Sequence, residues 1–266
     1  MSSMTRITMD NKLYKYGFSH KQNSVHVSRT IMIDELCSLF DTVAECAKRE
    51  EYQYFIIEKN CLNKRSNRTR QLTYQHLAEL YSLDYQYLIF RVMRWLWARD
   101  IDGQPLLALL CAYARDDLFR STSSFILNQQ IGEIVTRESL EKYIETKNPD
   151  RFSKSTLKSA AQNINASWTK SGHLRGKVKK IRTQASATPG SLSYALLLGY
   201  LQGLRGIMLF ESEYARILDC SLERRIELAQ IASGYGWIHF KHIGDVYDVQ
   251  FPLWTDGLEV ENEQQN

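Results

Sequence analysis

Arg151-Phe-Ser-Lys-Ser-Thr-Leu-Lys-Ser-Ala-Ala-Gln-Asn-Ile-Asn-Ala-Ser-Trp-Thr-Lys-Ser-Gly-His-Leu-Arg-Gly-Lys-Val-Lys-Lys-Ile-Arg182 sets the architecture of this 266-residue chain. The stretch holds nine Lys or Arg residues and no Asp or Glu, although the whole chain carries a formal net charge of only +4. Its first half has the period of a helix. Ser153 is placed to cap it, with Phe152 and Leu157 at the N′ and N4 positions of a hydrophobic staple. Leu157, Ala161, Ile164 and Trp168 follow at steps of four, three and four, one apolar stripe on a 3.6-residue helix. Gly172 supplies a left-handed stop. The outer face holds Lys158, Ser159, Gln162, Asn163, Asn165, Thr169 and Lys170. A merely solvated face favours Glu and Lys, whereas amides, hydroxyls and Lys bond base edges and phosphates.

After Gly172 the alternation predicts a strand or hairpin with Arg175, Lys177 and Lys179 on one face and Leu174 and Val178 on the other. A helix presenting amides, followed at once by a basic hairpin, resembles a winged helix-turn-helix, in which the helix enters the groove and the wing holds the backbone. A solvated helix end and a basic loop is the plain alternative, and the acid-free run weighs against it. The groove-facing candidates are Lys158, Gln162, Asn163 and Asn165. The phosphate candidates are Lys170, Arg175, Lys177, Lys179, Lys180 and Arg182, with His173 as a phosphate or solvent contact. A second acid-free cluster contributes Lys64, Arg65, Arg68 and Arg70 to the same track. From Glu211 to the end eleven acids face four Lys or Arg, a net of −7. That polarity orients a protein on a polyanion and leaves an acidic half for a protein partner.

Hydrophobic content of 44%, four Pro and thirteen Gly describe a folded and mainly helical protein. The five Cys form no Cys-x-x-Cys pair and are odd in number, the usage of reduced thiols in a cytoplasmic protein. The N-terminus is polar, with no apolar core of a signal peptide. The apolar run Leu192 to Phe210 is interrupted by Gln202 and Arg205 and falls short of the ~20 residues of a membrane span, so it predicts a buried core helix and no membrane partner.

Along the chain, residues 1–28 read as a polar arm, 29–150 as a helical domain and 151–188 as the basic winged-helix module. Residues 189–255 form a second helical, winged-helix-like module, and 256–266 an acidic tail. Helices are expected over Ile31–Arg49, Tyr52–Leu62, Gln71–Tyr81, Leu88–Arg99 and Leu106 to about Leu127, with another opening at Thr136. In the last module Ser221 caps a helix, and Gly244-Asp245 turns a hairpin between Trp237–His242 and Val246–Phe251. The fold class is therefore mainly α, a helical bundle with winged helix-turn-helix elements and short β-hairpin wings.

Motifs of catalysis are missing. There is no P-loop and no Gly-x-Ser-x-Gly elbow, and Gly199, Gly203 and Gly206 suit close helix packing better than a dinucleotide site. His239 and His242 lie three apart on a strand and point to opposite faces, a poor metal pair. Asp116-Asp117 beside Arg115 reads as a helix-end charge cluster. The expectation is a protein without enzymatic activity, metal or cofactor.

The order of Lys64-Arg-Ser-Asn-Arg-Thr-Arg70, Leu106 to Asp117, Ser153-Lys-Ser-Thr-Leu157 with Trp168 and Gly172-His-Leu174, then Leu228 to Ile238 and Gly244-Asp-Val246, resembles the BrxA family of bacteriophage exclusion (BREX) defence systems. The likeness covers roughly residues 60 to 251 and lies in order and local character, without one diagnostic motif. It implies a NusB-like helical fold and a non-enzymatic component that binds double-stranded DNA beside other defence-system proteins. The N-terminal arm and acidic tail depart from the family pattern. An RNA-binding protein and a protein–protein scaffold remain the alternatives; a nuclease would cleave with divalent metal, which is not expected. If about five to six phosphates are neutralised, log K for duplex DNA falls with log salt at a slope of about −5.

Overall fold

Small polar residues placed just before apolar runs start many of the helices in the computed structural model, which describes residues 12–19 and 23–255. The acidic tail 256–266 and residues 1–11 and 20–22 of the expected arm lie outside the described residues. The described part of that arm is packed, not extended. Leu13, Phe18 and Val25 are in the core, and Ser24 caps a 3₁₀ turn at Val25–Val27.

Helix α1 (Ile33–Thr42) is shorter than the helix expected over Ile31–Arg49, and helix α2 (Arg49–Ile57) starts and ends earlier than the one expected over Tyr52–Leu62. The chain turns extended at Val43, which lets Val43 and Ala47 reach the core beside Leu36, Leu39 and Phe40. Helix α3 (Asn67–Tyr81) starts at the Ser66 cap, and α4 (Leu88–Trp97) is buried on most of its circumference. Helix α5 (Gln104–Arg115) is the centre: Leu106 to Ala114 are all buried, and it packs against α3, α4 and the later helix α10 (Pro189–Leu201).

The single helix expected from Leu106 to Leu127 is broken at Asp116 into α5, α6 (Asp117–Ser121) and α7 (Ser123–Leu127). Asp116 adopts an extended backbone and its carboxylate accepts from the Phe119 N–H at 3.0 Å, so it caps a new helix instead of continuing the old one.

The basic module is built from strand β1 (Ile134–Val135), helix α8 (Arg137–Lys147), helix α9 (Lys154–Lys170) and the hairpin β2 (Leu174–Arg175) and β3 (Lys180–Arg182). The antiparallel sheet has the order β1-β3-β2, with Ile134 opposite Ile181 and Leu174 opposite Arg182. The module therefore starts upstream of residue 151: β1 completes its sheet and α8 packs along α9.

The apolar run after Leu192 divides into α10, nearly all buried, and α11 (Ile207–Phe210). Gly199 lies in α10, where an added Cβ would meet Ser212 and Leu209 at 3.4 Å, whereas Gly203 and Gly206 take positive φ in the turn that follows. Among the described residues no helix is long and apolar enough to cross a membrane. Helix α12 (Glu213–Ile217), helix α13 (Leu222–Gly234), the hairpin β4 (His239–Ile243) and β5 (Val246–Gln250) and the turn of helix α14 (Pro252–Thr255) complete the chain. Gly244 sits at φ +56° in the two-residue turn between β4 and β5, as its sequence position required. The protein is mainly helical, with two small antiparallel sheets among the described residues.

Candidate nucleic-acid interface

Helix α9 is anchored by the stripe that the sequence marked. Ala161, Ile164 and Trp168 are buried, Leu157 is half-buried, and Ser153 accepts the Thr156 N–H at 3.2 Å. Trp168 packs tilted against Phe119 and edge-on to His173, and it points its indole N–H at Thr122 Oγ1. The opposite face is exposed only along the first half of the helix, at Lys154, Ser155, Lys158, Ser159 and Gln162. The second half is covered by the N-terminal segment.

That cover rests on a buried polar network. His26 is fully buried, with Nδ1 2.9 Å from Asp116 Oδ2 and Nε2 3.1 Å from Ser167 Oγ. Ser24 and the Val25 N–H also donate to Asp116, and the Ile31 N–H donates to Ser167. Burial raises the Asp116 pKa, but His26 and the donors around the carboxylate outweigh it and hold the group below its ordinary value. A Ser–His–Asp arrangement of this kind suggests acyl-transfer chemistry, yet no substrate atom can reach it: it joins the 3₁₀ turn, the α5–α6 junction and α9 inside the core.

Two expected groove residues are corrected here. Asn163 is half-buried and its amide donates to the His26 carbonyl at 3.0 Å. Asn165 is buried, and its Oδ1 has no hydrogen-bond partner. Asn163 faces the packed side, where it serves the N-terminal segment, whereas Asn165 lies on the other flank of the helix, buried in the wall of the cleft described below. Lys158 and Gln162 keep the exposure expected of them.

The cations divide in the same way. Lys170 pairs with Asp34 at 2.5 Å and Lys64 with the adjacent Glu35 at 3.0 Å, so both clusters are partly neutralised at the start of α1. Arg70 donates to the Ile57 carbonyl at 3.0 Å, while Arg65 and Arg68 are exposed. Arg182 is only 2% exposed. Its Nη1 and Nη2 each donate to an Asp219 oxygen at 2.8 Å, and Nη1 also reaches the carbonyls of His173 and Thr183. His173 is a core residue as well, neither a phosphate nor a solvent contact: Ser171 Oγ lies 2.8 Å from Nδ1 and the Ile217 carbonyl 2.7 Å from Nε2. Burial pulls its pKa down to about 4. Arg182 and His173 thus bolt the base of the hairpin to the end of α12 and the turn after it, and the carboxylate that neutralises Arg182 lies far away in sequence.

What remains open is the hairpin tip and the first half of α9. Arg175, Lys177 and Lys179 are exposed; Lys180 is half-buried, its ammonium donating to the Gly176 carbonyl at 2.7 Å, and burial lowers its pKa. Val178 does not share the inner face with Leu174 but stands at the apex. Tip and helix enclose a cleft of about 570 Å³, lined by Gln162, Asn165 and Ala166 from α9, by Lys177 to Lys180, and by Ile134 to Glu138 at the start of α8. The two-residue strand β1, which forms one wall, was invisible to periodicity. Lys154, at the first position of α9, was not singled out although the acid-free first turn pointed to it.

The second hairpin differs. Ile243 and Val246 are exposed on either side of its turn, next to Asp245, and the module carries the acidic balance. His242 stacks on Tyr247 and lies 2.8 Å from the Gly244 carbonyl. Among the described residues no group of three His, Cys, Asp or Glu could hold a metal ion. No protein-family model matches the chain, and no curated protein matches it.

Proposed function

We propose that this chain is a non-enzymatic double-stranded-DNA-binding protein that uses a winged helix formed by residues 134–182, and that it serves as a component of a BREX-type phage-defence system. One observation carries the DNA-binding part: Gln162 of α9 and the basic hairpin tip, Lys177 to Lys180, line one cleft, and the exposed cations of the module, Lys154, Lys158, Arg175, Lys177 and Lys179, form no salt bridge among the described residues. The order strand, helix, helix, hairpin with sheet order β1-β3-β2 supports the winged-helix reading. In such modules the N-terminal residues of the second helix meet the base edges, which is the half of α9 left uncovered. Lys154 at a helix N-terminus works against the helix dipole by about 0.3–1 kcal/mol, a cost that a bound phosphate removes. The defence role rests on the resemblance to the BrxA family alone.

Five cations predict a slope of about −4.5 for log K against log salt. Lys177→Ala/Lys179→Ala removes two of them and should bring the slope to about −2.7. A variant that keeps both the affinity and the slope of the parent would overturn the assignment. The exposed Ile243 and Val246 favour a second role, docking of a protein partner on the acidic module. Co-purification that survives nuclease treatment and is lost on Ile243→Asp tests it; retention by that variant would remove the tip from the interface.

A further inference from the structure

We infer that Val178 is an apolar wedge: the wing tip enters the minor groove of bound duplex, and Val178 inserts at a base step and kinks the DNA. This deepens the duplex-binding reading and rests on it. At 94% exposure Val178 is the most exposed large hydrophobic side chain among the described residues. Strand alternation would turn it inward with Leu174, which is buried; the loop between β2 and β3 turns it out instead.

The apex that holds it is fixed from within. Gly176 takes φ +101°, and a Cβ there would collide with the Lys179 carbonyl oxygen, so only glycine closes this loop without a shift. The Lys180 ammonium, donating to the Gly176 carbonyl at 2.7 Å, ties the same loop across its neck. Lys177 and Lys179 flank the valine, both exposed. An isolated apolar side chain on a surface needs no explanation. One held at an apex tied across its neck, between two cations, matches the two parts of a minor groove: cations suit the phosphate rims, and the apolar tip meets the base edges between them. Proteins that place apolar side chains there unstack a step and bend the duplex by roughly 20–90°. A wing that only gripped phosphates would use Lys177 and Lys179 and leave the duplex straight.

The test is energy transfer across a duplex labelled at both ends, recorded with salt-dependent affinity for the full chain and its variants. The parent should shorten the end-to-end distance. Val178→Ser should leave the duplex straight and bind about tenfold more weakly with an unchanged salt slope. Val178→Leu should keep the bend, and Lys177→Ala/Lys179→Ala should lower the slope. Binding by the parent without bending, or bending by Val178→Ser equal to the parent's, overturns the wedge and leaves duplex binding standing. Failure of the parent to bind duplex at low salt overturns both.

Discussion

Replacing Arg182 by alanine removes a guanidinium that is 2% exposed and leaves the Asp219 carboxylate without its bidentate partner. Breaking a buried pair by deleting one member costs about 3–5 kcal/mol, mostly because the remaining charge is stranded. Asp219 keeps 17% of its side chain exposed and still accepts the Ala185 N–H at 3.3 Å, which places the expected loss at the lower end, about 3 kcal/mol. For a chain of this size that is a fall in Tm of about 6–12 °C. Urea unfolding gives the free energy directly, provided the transition is two-state. Arg182→Ala should lose this stability while its duplex affinity, measured where the variant is fully folded, and its salt slope stay those of the parent. A variant with less than about 1 kcal/mol of destabilisation and a shallower salt slope would refute the reasoning and return Arg182 to the phosphate-binding set.

Acidification should act through His173. Its pKa is about 4 in the folded protein against an ordinary 6.5, so the unfolded chain binds the extra proton between these values. The stabilisation from keeping the ring neutral is complete above about pH 6.5 and is lost as pH falls towards 4, about 3 kcal/mol in all. Stability of the parent and of His173→Phe, compared at pH 7 and 4.5, should converge on acidification; parallel losses would contradict it. Asp116→Ala strips an acceptor from Ser24, Val25, His26 and Phe119 and should cost about 3 kcal/mol or more by urea unfolding; a loss under 1 kcal/mol would sink the network's structural role. Gly176→Ala should disturb the hairpin tip alone, lowering duplex affinity about tenfold with Tm within a few degrees of the parent, and unchanged affinity would show that the tip conformation does not matter.

Much of the local architecture is legible in single residues. Ser153, Thr136 and Ser221 each accept the amide three residues on, Gly172 takes φ +87°, and Gly244 turns its hairpin. These features depend on chemistry within a few positions, which a sequence displays directly. The site was only half legible for the opposite reason. A run of lysines and arginines states where charge is, but its neutralising partners sit far away: Asp34 is 136 positions from Lys170, and Asp219 is 37 from Arg182. Helical period likewise identified the buried stripe of α9 but not its width, because the extra cover at Asn163 and Ser167 comes from the turn around His26. Strand β1 is too short for any period to register, and the break at Asp116 falls at the helix-end charge that the sequence marked, although the apolar period runs on through it to Leu127.

The most direct measurement is a fluorescence-anisotropy titration of a random duplex at two salt concentrations, with and without magnesium. Salt-sensitive binding with a slope near −4.5 and an intact duplex in magnesium is the predicted result. No binding at low salt would contradict the account and reassign the basic cleft to an acidic protein surface.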